Sequence, residues 1–105
     1  MKFISAKELK AKLDQGETCQ LIDVREPYEL EICSIESFKI PMAEIESNLD
    51  KISKTGSVII FCKSGNRSKA VVNLLESEHK FDNIYSLEGG ITGWAKEIDN
   101  SLEVY

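Results

Sequence analysis

Residues 58–76 read VIIFCKSGNRSKAVVNLLE and give the clearest indication of the architecture. Residues 58–61 form a continuous apolar run rich in β-branched side chains, which is typical of a strand buried on both faces. A polar loop with one glycine follows. Apolar residues then recur at the spacing of one helix face, at Ala70, Val71, Leu74 and Leu75. The stretch therefore predicts a buried strand, a short loop and a helix over residues 69–76.

The same alternation of apolar runs and helical patterns extends along the rest of the chain. Further strands are predicted at residues 3–4, 21–24, 38–40 and 84–87. Further helices are predicted from the capping box of Ser5 and Glu8 to Gly16, and over residues 28–32, 42–52 and 91–98. Strands this short and apolar favour an open, mostly parallel α/β sheet of four to five strands with helices on both faces, built as one domain over residues 1–105. Ligands bind such sheets beyond the carboxyl ends of the strands.

Composition and charge narrow the classes of function. The chain has 105 residues, of which 42% are hydrophobic and 30% are charged, as in ordinary globular proteins. Thirteen Lys and Arg residues against 18 Asp and Glu residues give a net charge of −5, which disfavours nucleic acid and anionic membrane surfaces as partners. Charged residues interrupt the start of the chain, and the longest apolar run covers only residues 58–62. We therefore expect a cytoplasmic protein.

The cysteines and the histidine give no support for a metal centre or a disulfide framework. The chain has three cysteines, Cys19, Cys33 and Cys62, with no C-x-x-C pair, and its one histidine is His79. A structural zinc site requires four ligands, which these residues do not supply at a suitable spacing. We expect no metal and no cofactor.

One cysteine stands where the predicted buried strand gives way to a helix. Cys62 begins the loop, and Gly65 allows the loop to curl so that backbone amides point toward the thiol. The helix N-terminus adds partial positive charge, and Lys63 and Arg67 add formal positive charge. These features favour a thiolate, so we expect Cys62 to be a nucleophile that works beside an anionic substrate. A cysteine that only fills the core needs no such loop.

Four sequence segments follow one another in a characteristic order. They are LIDVRE at residues 21–26, the pairs Ser34-Ile35 and Ile40-Pro41, CKSGNRS at residues 62–68, and LEGGITGW at residues 87–94. With these segments the chain resembles the single-domain rhodanese (thiosulfate:cyanide sulfurtransferase) family over nearly its whole length. The resemblance implies the rhodanese-like α/β fold. In the last segment, Gly89 and Gly90 are expected to let the backbone pass close to the loop.

The resemblance also implies sulfur transfer through a cysteine persulfide. Cys62 would attack the outer sulfur of a small anionic donor such as thiosulfate, and a nucleophilic acceptor would then remove that sulfur. The implied substrate-binding residues, whose amides would hold the terminal sulfur, are Lys63, Ser64, Gly65, Asn66, Arg67 and Ser68. Lys63 and Arg67 would attract the donor. The Ser68 hydroxyl would either donate to the sulfur or cap the helix.

Two features beside this loop leave alternatives open. Asp23 and Arg25 end a neighbouring strand, where they either support the active loop or form only structural contacts, with Arg25 pairing to Glu26 or Glu29. The family usually has Gly-His-Ile where this chain has residues 33–35, Cys-Ser-Ile. Cys33 at this place is either a resolving thiol or a small residue that fills the gap.

Two other classes of function compete with a thiosulfate sulfurtransferase. Cysteine phosphatases and arsenate reductases also use a thiolate in an amide loop with an arginine, but with five residues between the two, whereas four separate Cys62 from Arg67. A binding or regulatory module is the other class, and the presence of Cys62 disfavours its inert form. A persulfide carrier that serves a partner protein remains compatible with the sequence, and the physiological donor and acceptor stay open.

Overall fold

The predicted parallel sheet is present in the structure, a computed structural model that describes all 105 residues. Its five strands, all parallel, lie in the order β1-β5-β4-β2-β3. The strands are β1 (Lys2–Ile4), β2 (Cys19–Asp23), β3 (Phe38–Lys39), β4 (Ser57–Phe61) and β5 (Ile84–Leu87). The helices are α1 (Ala6–Asp14), α2 (Pro27–Leu30), α3 (Asn66–Ser77) and α4 (Gly90–Glu97). None of these helices has the length and apolarity needed to cross a membrane.

Strand β4 lies in the middle of the sheet and is buried on both faces, as its sequence predicts. Val58 and Ile60 pack into one core cluster with apolar side chains of α3. Ile59 and Phe61 pack into a second cluster with side chains of α1 and α4. Successive residues of a strand point to opposite faces, so this arrangement places helices on both sides of the sheet.

The register of the central strands brings the functional segments to one edge. Strand β2 pairs with β4 from Cys19 opposite Ser57 to Asp23 opposite Phe61. The two strands therefore end at the same level. The segment that begins with Val24 and the loop that begins with Cys62 consequently leave the sheet side by side, at its carboxyl edge.

The helix predicted over residues 42–52 is wrong. The structure instead has two 3₁₀ helices, Met42–Glu44 and Glu46–Lys51, and Asn48 has non-helical backbone angles. The Glu44 carbonyl, which an α-helix would pair with the Asn48 amide, instead accepts hydrogen bonds from the Ser47 hydroxyl and the Asn48 side-chain amide. Polar side chains thus compete with the helical ladder. The apolar stripe still reaches the core, because Ile45 and Ile52 are buried.

The helix after Cys62 begins earlier than predicted. It starts at Asn66 rather than at Lys69, after Gly65, which has a φ of 115°. The loop therefore comprises only residues 62–65, and residues 66–68 form the first turn of α3. The first-turn amides of a helix have no partner within the helix, so this boundary places free donors beside the cysteine.

Candidate active site

The Cys62 thiol lies at the centre of the short loop between β4 and α3. The residue is only 1% exposed. Its Sγ atom accepts hydrogen bonds from the Gly65 amide, at 3.2 Å, and from the Ser68 amide, at 3.4 Å. Both donors belong to the last loop residue and the first helical turn. Hydrogen bonding by backbone amides and the positive end of a helix both stabilise negative charge on sulfur.

The other amides around the loop are free donors. None of the six successive amides of residues 63–68 donates to a backbone carbonyl, and only those of Gly65 and Ser68 donate to Sγ. Consecutive free amides at a turn and a helix N-terminus bind anions. The loop therefore offers donors both to the cysteine sulfur and to a further negative atom attached to it. The side chains of Ser64 and Asn66 are exposed, so these two residues contribute their amides.

Helix α4 holds the outer side of the loop. The amide of Ile91 donates to the Cys62 carbonyl at 2.9 Å, and the amide of Thr92 donates to the Lys63 carbonyl at 3.1 Å. Gly90, with a φ of 57°, lies so close that a Cβ atom there would stand 2.4 Å from the Lys63 carbonyl oxygen. The predicted close approach is therefore confirmed at Gly90. These contacts fix the carbonyls of the loop on the side occupied by α4.

The Ser68 side chain has neither of the two roles predicted from the sequence. Its hydroxyl donates to the Gly65 carbonyl at 3.0 Å and shares a 2.8 Å hydrogen bond with the Ser86 hydroxyl of β5. The backbone amide of Ser68, rather than its hydroxyl, reaches the sulfur. The N-cap residue is Gly65, which has no side chain. Ser68 therefore ties the start of α3 to β5 within the core.

Arg67 forms a two-pronged ion pair with Glu29 of α2. Its two terminal nitrogens donate to the two carboxylate oxygens at 2.6 and 2.9 Å. The Glu29 side chain is only 4% exposed, and its Oε1 also accepts from the Glu26 amide. Hydrogen bonding from Arg67 lowers the pKa of Glu29 to about 2, although burial acts in the opposite direction. The charge of Arg67 is thus largely neutralised before any substrate arrives.

Lys63 and Tyr105 meet above the same loop. The Lys63 Nζ lies 4.5 Å from the centre of the Tyr105 ring. The Tyr105 hydroxyl donates to Oε2 of Glu29 and accepts a 3.1 Å hydrogen bond from Nη1 of Arg25. Burial and the bond to Glu29 together raise the pKa of Tyr105. A residue far from the loop in sequence is therefore part of its surroundings.

Asp23 and Arg25 form a fully buried ion pair. The Arg25 Nη2 donates to Asp23 at 2.8 Å and also to the Cys33 carbonyl at 2.8 Å. Arg25 makes no hydrogen bond to the loop and pairs with neither Glu26 nor the carboxylate of Glu29. It orders the segment from α2 to Cys33 and reaches the site through Tyr105. Support of the loop by Asp23 and Arg25 is therefore indirect.

Cys33 packs on the other side of the sheet from the Cys62 cluster. Its half-buried side chain contacts the cluster formed with α1 and α4, whereas Cys62 belongs to the cluster formed with α3. All three cysteines are free thiols in the structure. The arrangement favours the gap-filling interpretation of Cys33 over the resolving thiol.

The chain is similar to known proteins in both sequence and fold. The sequence model of the rhodanese-like domain matches residues 5–97. The chain belongs to the rhodanese-like domain family. The rhodanese-like fold is also found in a rhodanese-like domain protein from Staphylococcus aureus, which is 36% identical with a TM-score of 0.84 over 100% of this chain and 99% of that chain. A Staphylococcus saprophyticus protein, SSP1007, is 33% identical with a TM-score of 0.82, over 98% and 99% of the two chains.

The curated rhodanese-like relatives are larger proteins. Rhodanese-like/PpiC domain-containing protein 12, chloroplastic, of Arabidopsis thaliana is 34% identical over 100% of this chain and 38% of its own length. Probable adenylyltransferase/sulfurtransferase MoeZ of Mycobacterium tuberculosis is 33% identical over 97% of this chain and 26% of its own length. The chain thus spans between about a quarter and two fifths of the length of these relatives.

Three residues around the rhodanese-like loop escaped sequence reasoning as site residues. The sequence suggests Glu29 only as a structural partner of Arg25, and it does not indicate Ser86 or Tyr105 as site residues. The signal available for Glu29 is its position, three residues after the recognisable LIDVRE segment and four residues after Arg25. Tyr105 pairs with Glu29 and Arg25, which lie 76 and 80 positions earlier in the chain, and no local pattern indicates such contacts.

Proposed function

We propose that this rhodanese-like chain is a sulfurtransferase that carries a sulfane sulfur on Cys62. The observation that supports the proposal most directly is the set of amides around Sγ. Two of them already donate to the cysteine sulfur, and four more in residues 63–67 have no backbone acceptor. A persulfide places a second, negatively charged sulfur beyond Sγ, and free amides there would hold it.

The proposed reaction has two displacement steps at sulfur. The Cys62 thiolate attacks the outer sulfur of an anionic donor such as thiosulfate, and a new S–S bond forms. The S–S bond of the donor breaks, and sulfite leaves with the electron pair. A nucleophilic acceptor then attacks the terminal sulfur and restores the Cys62 thiolate. Neither step requires an external oxidant, a metal or a cofactor.

The loop fits a single sulfur better than a phosphoryl group. A phosphatase or arsenate reductase of this type uses five residues between cysteine and arginine, and this loop has four. Its arginine must also be available to chelate the tetrahedral anion, whereas both terminal nitrogens of Arg67 are occupied by the buried Glu29 carboxylate. These two features support sulfur transfer over phosphate or arsenate chemistry.

A persulfide carrier that serves a partner protein is the second candidate. The relative MoeZ favours this candidate. The matching region forms about a quarter of that protein, which is named as a probable adenylyltransferase/sulfurtransferase, so the region there is joined to further protein in one chain. The two candidates share the Cys62 persulfide and differ only in the donor and the acceptor. Saturation by thiosulfate at millimolar or lower concentration favours the free enzyme.

The intact mass of the protein after incubation with thiosulfate tests the proposal. The reduced wild type is expected to gain one sulfur atom, and cyanide is expected to remove it as thiocyanate. Cys62→Ser should gain none, whereas Cys19→Ser and Cys33→Ser should load like the wild type. Loading of Cys62→Ser would assign the chemistry to another thiol. Failure of the wild type to load from thiosulfate or from a persulfide donor, together with Cys62-dependent hydrolysis of an aryl phosphate, would favour the phosphatase interpretation.

A further inference from the structure

Tyr105 is held at the active loop by contacts on both its hydroxyl and its ring. After α4, the chain is anchored by Leu102, which packs against the core cluster of α1 and α4. The hydroxyl of Tyr105 then bridges Glu29 and Arg25, and its ring lies beneath the Lys63 ammonium. Tyr105 therefore connects Lys63 of the loop with Glu29 of α2 and with Arg25, which precedes α2.

Lys63 of the loop and Arg67 of the first turn of α3 are in different electrostatic situations. Arg67 uses both terminal nitrogens on Glu29, and the Tyr105 hydroxyl donates to that same carboxylate. Lys63 takes part in none of the ion pairs of the structure. Its ammonium rests instead on the Tyr105 ring, which attracts a cation without neutralising its charge. Lys63 is thus a positive charge of the active loop that has no carboxylate partner.

We propose that Tyr105 is a positioning residue that holds Lys63 as the cation for the anionic group of the sulfur donor. The proposal rests on the proposed sulfur transfer, since it concerns the donor of that same reaction. The ring of Tyr105 fixes the Lys63 ammonium above the loop. Tyr105 thereby sets a preference for anionic over neutral reactants at Cys62.

Two substitutions separate the ring from the hydroxyl. Tyr105→Phe keeps the ring under Lys63 and removes the hydrogen bonds to Glu29 and Arg25. Tyr105→Leu removes both. A cation–π contact at a partly exposed site corresponds to a change of about three- to ten-fold in binding. We therefore expect Tyr105→Leu to raise the KM for thiosulfate about three- to ten-fold with kcat within about two-fold of the wild type, and Tyr105→Phe to restore most of the KM.

Alkylation of Cys62 measures the same preference without sulfur transfer. The rate with iodoacetate, an anion, is divided by the rate with neutral iodoacetamide, and modification of Cys62 is followed by peptide mass spectrometry. The ratio is expected to fall about three- to ten-fold in Tyr105→Leu and to stay close to the wild-type value in Tyr105→Phe. In a Lys63→Gln background the ratio is expected to be low already, and Tyr105→Leu should not lower it further.

Several outcomes would overturn the assignment. Equal losses in the Phe and Leu variants would assign the effect to the hydroxyl, and a further fall in the Lys63→Gln background would show that Tyr105 does not act through Lys63. If Tyr105→Leu fails to fold, Tyr105→Gln removes the ring in its place, and an unchanged alkylation ratio in that variant would overturn the proposal. A wild type that accepts no sulfur but keeps the dependence of the ratio on Tyr105 would refute the proposed function alone.

Discussion

Substitution of Gly90 by alanine tests whether α4 holds the active loop in place. Gly90 has a φ of 57°, and an added Cβ would stand 2.4 Å from the Lys63 carbonyl oxygen and 2.5 Å from that of Cys62. Both contacts are with backbone, so no flexible side chain can move aside. Either the start of α4 or the loop must shift, and the hydrogen bonds from Ile91 and Thr92 to these carbonyls weaken as a result.

The expected loss of stability follows from three contributions. A residue with a Cβ in the left-handed region costs about 1 kcal/mol. Overpacking against fixed atoms costs about 1–3 kcal/mol, and each weakened hydrogen bond costs up to about 1 kcal/mol. The free energy of unfolding should therefore fall by about 2–6 kcal/mol, a large part of the roughly 5–15 kcal/mol typical of small domains.

Gly16→Ala is the matched control for this prediction. Gly16 also has a positive φ, 79°, but a Cβ there would meet no atom within 4 Å. Its substitution should cost only the backbone contribution of about 1 kcal/mol. Urea unfolding of the two variants measures the difference, and the thiosulfate mass assay measures loading, which should fall in Gly90→Ala alone. Equal losses of stability in the two variants, with equal sulfur loading, would refute the claim that α4 shapes the loop.

Two further predictions concern buried charges. Asp23→Asn leaves Arg25 buried without a counter-charge and should lower the free energy of unfolding, measured in urea, by about 3–5 kcal/mol. Asp14→Asn, which removes one partner of an exposed ion pair, should change that free energy by less than about 1 kcal/mol. Similar losses in the two variants would contradict this account. The pKa of Glu29 is lowered to about 2 in the folded state, so its stabilising effect is full above pH 4.5 and is lost as the pH falls toward 2. Between pH 5 and pH 2 the free energy of unfolding of the wild type should therefore fall by about 1–2 kcal/mol more than that of Glu29→Gln, a value reduced because Arg67 is partly exposed. Equal falls in the two proteins, measured by urea unfolding, would show that Glu29 does not cause the pH dependence.

The parts of the site that sequence reasoning predicted are those that are close along the chain. Cys62 and Gly65 belong to one uninterrupted passage from strand to helix, and the chemistry of that passage is local. The roles predicted for the Ser68 hydroxyl are wrong, because this hydroxyl bonds to Ser86 of β5, which lies 18 residues further along the chain. The helix over residues 42–52 was wrong for a different reason. Its apolar spacing correctly indicates which residues reach the core, but the spacing does not reveal the competition of side chains for the Glu44 carbonyl.

The structure divides the electrostatic work of the loop between backbone and side chains. Amides of the loop and of the first turn of α3 surround the cysteine sulfur, and their outward carbonyls are held by α4. Because backbone dipoles fixed in this way need no reorganisation, they can stabilise negative charge on sulfur at every stage of the proposed transfer. The formal charges belong to side chains around this core of amides. The Glu29 carboxylate neutralises the charge of Arg67, whereas the Lys63 ammonium rests on the uncharged ring of Tyr105. In the proposed sulfur transfer, a loop organised in this way would hold the Cys62 sulfur ready independently of the donor, and discrimination among donors would depend on Lys63 and Tyr105.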